Sequence, residues 1–334
     1  MFEIKITDID GFKLGHAQDF EGATGCTVLL CEEGASGGVD VRGGAPGTRE
    51  TDLLNPMEMV DKVHAVVLSG GSAFGLDSCS GVMEYLENKN VGFDVGVAKV
   101  PIVCGAVLFD LACGNPKVRP NKEMGLEACK NSETYLDSKN GNIGCGTGAT
   151  VGKALNQKLA MKGGFGSYAV QVGDLKVGAI VGVNSLGDIV DPNNNNKIIA
   201  GGLSQDRNSF INIEESLLAN YSNPKNVFKG NTTIGCIVTN GDFNKAEANK
   251  IASMAQNGFG RTIRPAHTMF DGDTIFTLSS NKVKADINVV GLLAAQVMEK
   301  AIIKAVKEAD SSYGFLSHKD CLLYTSPSPR DVLL

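Results

Sequence analysis

Gly230-Asn231-Thr232-Thr233-Ile234-Gly235-Cys236-Ile237-Val238-Thr239 is where this chain changes character. Upstream, from Asp191 to Lys229, the sequence is polar, with asparagines at Asn193–Asn196 and a run rich in Asn, Pro and Lys that reads as an exposed linker. Downstream, Thr233–Thr239 is rich in β-branched and small residues and reads as a buried strand. The linker enters that strand through Asn231-Thr232. A hydroxyl at this point has two readings. It is loop punctuation, or it attacks the preceding carbonyl in an N→O acyl shift, after which water releases the ester. The second course leaves Thr232 as a new N-terminus beside its own α-amino group, whose pKa near ~7.7–8.0 suits a general base at neutral pH.

Working outward, short apolar runs recur at Cys26–Cys31, Val63–Leu68, Tyr168–Val172, Val177–Val183 and Thr274–Leu278. Helical spacing appears at Phe74–Glu87 and Lys245–Phe259. The longest such stretch runs from an Asp286 N-cap to about Ala309, with a stripe at Ile287, Val290, Leu293, Val297, Ala301, Ile302 and Val306. Tyr168–Val183 reads as a hairpin and Asp242–Leu278 as strand, helix, strand. The mixture lacks βαβα alternation, which favours an α/β fold with helices covering a largely antiparallel pair of sheets.

Composition narrows the function classes. The chain has 334 residues, 43% apolar and 20% charged, with a net charge of −6 and no basic block, so nucleic acid is not an expected partner. No apolar run reaches the ~18 residues of a membrane span, and Met1–Asp10 has no signal-peptide core; a cytoplasmic location is expected. The nine cysteines form no paired metal signature and read as buried, reduced thiols. The four histidines show no ligand spacing, so no metal or organic cofactor is expected. A Ser-His-Asp set built on His267 with Asp271 or Asp273 lacks an elbow serine. Leu68-Ser-Gly-Gly-Ser-Ala-Phe-Gly-Leu-Asp77 matches no nucleotide fingerprint; it is either a tight turn or pocket lining. From Cys321 to Leu334 the sequence resembles translated adapter DNA, and a native domain is expected over residues 1–320.

Six blocks carry a resemblance: residues 6–19, 38–53, 68–77, 100–111, 146–153 and 231–276. In this order they resemble the DmpA-type L-aminopeptidase/D-esterase family of N-terminal-nucleophile hydrolases, which includes β-aminopeptidases and nylon-oligomer hydrolases. The resemblance spans about Ile4 to Ala309. It implies an αββα sandwich of the DmpA/ornithine-acetyltransferase type, cut after Asn231 into a large chain 1–231 and a small chain 232–320. It implies Thr232 as nucleophile, Asp271 and Asp273 as the acid pair near its amine, Lys153 close by, and Asn184 as an oxyanion donor. The implied substrate is a small aminoacyl compound or short peptide with a free amino end, and the implied assembly a homotetramer or larger of processed heterodimers.

Each residue also has a plainer role: Lys153 a solvated lysine, Asn184 a turn residue, the aspartates turn acids. Cys104-Gly105 departs from the family, which often has apolar residues or proline there, and is expected to reshape the substrate pocket. Two rivals share the sequence features: an ornithine-acetyltransferase-like acyltransferase, and an uncleaved, non-catalytic protein that binds a small ligand.

Overall fold

The computed structural model describes residues 1–134, 139–154, 156–221 and 230–320. Most of the Tyr221–Gly230 run and the adapter-like Cys321–Leu334 segment lie outside them.

Two long apolar helices form one outer layer. Lys245–Thr262 begins at Asn244, whose side chain accepts the Glu247 N–H while the Glu247 carboxylate accepts the Asn244 N–H. Ile287–Lys307 begins at Asp286, whose carboxylate accepts the N–H groups of Asn288 and Val289, as the N-cap reading expects. Ile287–Lys307 packs its buried stripe on strands Gly164–Val172 and Leu175–Asn184, and Lys245–Thr262 lies beside it on Thr274–Val283 and the second half of Thr24–Val41. On the opposite side, helices Ser78–Asn88 and Lys122–Ser132 cover strands Lys13–Asp19, Lys62–Ser69 and the first half of Thr24–Val41. Between the two strand layers lies a third apolar core, with Leu29, Leu68 and Leu108 from one side and Ile180, Ile234 and Phe276 from the other. Helix, sheet, sheet, helix is the order of layers.

One hydrogen-bonded path joins both sheets. The connection is the 18-residue strand Thr24–Val41, whose pairing with Lys62–Ser69 slips between Leu30 and Ala35. Its first half also pairs with Lys13–Asp19 and its second half with Thr274–Val283, so a single strand serves both layers. Most pairings are antiparallel. Among the described residues two strand pairs are parallel: Lys62–Ser69 with Val103–Val107, and Thr232–Gly241 with Thr274–Val283.

The polar stretch from Asp191 carries strands Asp188–Asp191 and Lys197–Ala200 and the helix Ile213–Ala219 ahead of the linker-like run, most of which lies outside the described residues. One local expectation needs correction. Phe74 belongs to a 3₁₀ turn, Ser72–Asp77, and the α-helix starts only at Ser78. Asparagines cap short elements in the polar stretch: the Asn212 side chain accepts the Glu215 N–H.

Candidate active site

The site forms where strand Thr232–Gly241 begins. In the antiparallel register Asn184, the last residue of Leu175–Asn184, stands opposite Thr232. On the other flank the neighbouring strand is parallel, and a β-bridge pairs Asn231 with Asp271. Asp271-Gly272-Asp273 therefore runs alongside Asn231-Thr232-Thr233. A parallel pair needs a crossover, and helix Lys245–Thr262 supplies it, closing a gap of 40 residues.

Thr232 is buried and its hydroxyl contacts the carbonyl oxygen of Asn231, the group it would attack. The Gly272 N–H points at both atoms, 3.1 Å from Thr232 Oγ1 and 3.2 Å from the Asn231 oxygen. A Cβ on residue 272 would lie 2.7 Å from that hydroxyl, so only glycine fits without displacing it.

The two aspartates take different tasks. Asp271 Oδ2 accepts the backbone N–H and the hydroxyl of Thr268, at 3.0 and 2.5 Å. Burial, and then the charge of Asp273, hold its carboxyl above the usual range. Asp273 Oδ1 accepts the Thr233 N–H at 2.8 Å, while its Oδ2 faces His267. Lys153 is fully buried, which removes the solvated-lysine reading. Its ammonium donates to Asn184 Oδ1 at 2.6 Å and to Thr150 Oγ1 at 3.3 Å. Burial pushes its pKa down to about 7, against the opposing pull of the Asp271 and Asp110 carboxylates. The Asn184 amide is engaged at both ends, since Nδ2 donates to the Phe109 carbonyl at 2.8 Å. Asn184 is thus no free turn residue; it ties Lys153, Phe109 and the nucleophile's strand together.

Beside Thr232 opens a cavity of about 450 Å³. Pro46, Val107, Phe109, Met269 and Phe270 make its wall mostly apolar, and no charged side chain lines it among the described residues. Ser72 and Ala73 also line it, so the Gly70-Gly71 turn does face a pocket. Asp110 holds that turn by accepting the Gly71 N–H at 2.7 Å. Cys104 is instead buried in the inter-sheet core and Gly105 packs against Cys79. Neither lines the cavity, although Val107 of the same strand does. The eight described cysteines are all buried and free. Among the described residues no cluster of three or more His, Cys, Asp or Glu could hold a metal, and no helix is long and apolar enough to cross a membrane.

Sequence reasoning passed over two groups, the Gly272 N–H and His267. The first had no side-chain signal. The second has one, the nearby aspartates, but no elbow serine accompanies it.

The αββα layering, with Thr232 buried at the head of a central strand beside Asp271-Gly272-Asp273, is the architecture of an N-terminal-nucleophile-type hydrolase. The profile of peptidase family S58 matches residues 5–319, and the chain belongs to that family. It is 37% identical to an uncharacterized aminopeptidase of Mycobacterium tuberculosis, across 94% of this chain and 97% of that protein. It is 29% identical to a 6-aminohexanoate-oligomer endohydrolase of Paenarthrobacter ureafaciens, across 90% and 85%. Among solved structures, the L-aminopeptidase D-Ala-esterase/amidase of Ochrobactrum anthropi shares the fold, with a TM-score of 0.69 at 17% identity over 96% of this chain and 93% of that one. A Burkholderia β-aminopeptidase shares it with a TM-score of 0.66 at 16% identity, over 97% and 95%. The protein is an aminopeptidase-type hydrolase of this family.

Proposed function

We propose that the protein cuts itself between Asn231 and Thr232 and then hydrolyses amide or ester bonds of small aminoacyl compounds or short peptides through an acyl-enzyme on Thr232. The observation that carries this reading is the contact of the Thr232 hydroxyl with the Asn231 carbonyl, with the Gly272 N–H directed at both.

In the first step Oγ1 bonds to the Asn231 carbonyl carbon and loses its proton, and the carbonyl oxygen takes up negative charge. The Gly272 N–H stabilises that oxyanion from the backbone. The C–N bond breaks, the Thr232 nitrogen leaves as an amine, and water hydrolyses the ester to free the hydroxyl and the Asn231 carboxylate. Lys153, held on Asn184 opposite Thr232 and with a pKa near neutrality, is the group we assign to take the hydroxyl proton in the precursor and to return it to the departing Thr232 nitrogen. In turnover the new α-amine takes that role. The Asp271 carboxylate and Lys153 oppose each other in setting its charge.

The apolar cavity is assigned to the uncharged side chain of the substrate's acyl portion. Asn184 Nδ2 carries two N–H groups: one fixes the wall through the Phe109 carbonyl, and the other is the one we assign as a second oxyanion donor. The processed protein is proposed to assemble as a homo-oligomer.

Incubation of the purified 35.0 kDa chain tests the reading. Cleavage gives fragments in the ratio of 231 to 103 residues, about 24 and 11 kDa, and sequencing of the smaller should begin Thr-Thr-Ile-Gly-Cys. A chain that stays whole through long incubation, across pH 6 to 9, removes the self-cleavage step. Transfer of the acyl group to an added amine in preference to water would instead favour the acyltransferase alternative.

A further inference from the structure

We infer that His267 is a positioning residue for the nucleophile: it fixes the Asp273 carboxylate, and that carboxylate fixes the N-terminus that carries Thr232. This inference rests on the assignment of Thr232 as nucleophile.

The contacts form an unbroken chain. The His267 ring Nδ1 lies 3.0 Å from Asp273 Oδ2, and since a carboxylate only accepts, Nδ1 is the donor. The His267 backbone N–H donates to the same oxygen at 3.0 Å. The other oxygen, Oδ1, accepts the Thr233 N–H at 2.8 Å. Asp273 is almost fully buried and the His267 side chain only 22% exposed, so water competes weakly for these bonds. The ring also stacks on Phe259 of the crossover helix, with centroids 6.0 Å apart and planes 22° from parallel. The imidazole is thereby held on its face by the helix and on its edge by the acid.

The backbone at His267 is informative. Its φ is 58°, the left-handed region, where a histidine is less at ease than glycine or asparagine. A residue held in that conformation marks a constraint other than local comfort. Here the turn brings the ring and the main-chain N–H to one carboxylate oxygen.

The consequence concerns the cut chain. Once the Asn231–Thr232 bond is gone, Thr232 is a chain end and is held only by what pairs with it and with its neighbour. The Thr233 N–H bond to Asp273 is then the nearest charge-assisted tether to the attacking hydroxyl. Loss of the imidazole leaves Asp273 Oδ2 with one donor fewer and free to rotate. The nucleophile then loses alignment rather than chemistry, and the effect falls on kcat more than on KM.

Three variants test this. His267→Gly relieves the left-handed backbone and removes the ring donor. His267→Asn also suits that backbone, and its Nδ2 can occupy the position of Nδ1. His267→Ala removes the donor and keeps the strain. His267→Gly should lower kcat on an aminoacyl anilide by about tenfold to a hundredfold, with KM within about twofold, and should slow precursor cleavage. His267→Asn should recover most of both. Thermal melting of each variant separates lost alignment from lost fold. Equal activity of the Gly and Asn variants, at wild-type level or equally reduced, overturns the inference. So does a loss that appears in KM alone. Thr232→Ala is run in parallel: full turnover there would sink the nucleophile assignment itself, whereas a dead Thr232→Ala beside a wild-type His267→Gly sinks only the role of His267.

Discussion

Thr232 and Thr233 are both buried, yet they face different company. The Thr232 hydroxyl meets the Asn231 carbonyl and the Gly272 N–H, while the Thr233 hydroxyl has no hydrogen-bond partner among the described residues. Adjacent strand residues point to opposite sides, so this contrast follows from the strand itself. Thr232→Ala should abolish both precursor cleavage and turnover. Thr232→Ser should keep partial cleavage, because only a methyl group goes. Thr233→Val, which replaces an unpaired hydroxyl by a methyl, should leave cleavage intact and raise stability slightly. A gel and an anilide assay of the three variants check this, and equal behaviour of Thr232→Ala and Thr233→Val would refute it.

Lys153 gives a second test at the same scale. Its pKa in the fold, about 7, lies below its ordinary 10.5, so between those values the unfolded chain holds a proton that the folded chain has released. Stability from this group therefore rises with pH from about 7 to 10.5, and below about 7 the penalty for burying the ammonium is present in full. In a Thr232→Ala background, Lys153→Met should raise Tm by a few degrees at pH 6 and by less at pH 9. In the otherwise wild-type chain it should block cleavage. Cleavage of the wild-type precursor should accelerate as pH rises through about 7, where the amine loses its proton. A cleavage rate flat from pH 6 to 8 would argue against Lys153 as the base.

At the scale of elements, helix Ile287–Lys307 lies directly on the backbone of strand Gly164–Val172. A Cβ at Gly166 would stand 2.0 Å from the Ala301 carbonyl oxygen. Gly166→Ala must push the helix off the sheet, at a cost of about 1–3 kcal/mol, and should lower Tm without altering the pH dependence of cleavage. Urea denaturation with an unchanged midpoint would show that the helix yields more easily than this packing allows.

The same scale explains what could be read from sequence. The helices from Lys245 and Asp286 were legible because their caps and 3–4 spacing are local signals. The hairpin Gly164–Asn184 was legible from two β-branched runs around a short turn. Thr232 and the aspartates stood out by motif. The rest depended on register. Nothing near Asn184 says that it will end up across from Thr232, since that placement is fixed by the whole length of the strand pair. His267 gave no sign of its left-handed turn, and Lys153 no sign that it would be buried. The strand Thr24–Val41 was foreseen only as Cys26–Cys31, because Gly34 and Gly37-Gly38 look like loop; Gly34, with φ 77°, falls in the pairing slip between Leu30 and Ala35, and Gly38 leaves room for the helix backbone at Ala248.

For the whole molecule, what matters is where the strand behind the proposed cut lies. Thr232–Gly241 sits inside the sheet, with Leu175–Asn184 on one side and Thr274–Val283 on the other, and Thr274–Val283 in turn pairs with Thr24–Val41. The two strands after Asn231 lie side by side between strands from before it, so the two pieces of a cut chain would be interleaved and would separate only by unfolding. The precursor folds as one chain, a unimolecular event. A nicked molecule, once denatured, must find its partner in solution. Its refolding should therefore be second order: yield and rate ought to rise with protein concentration, whereas the Thr232→Ala precursor refolds at a rate independent of it. Cutting would make the fold a one-way construction, assembled as a single thread and not easily remade from its parts.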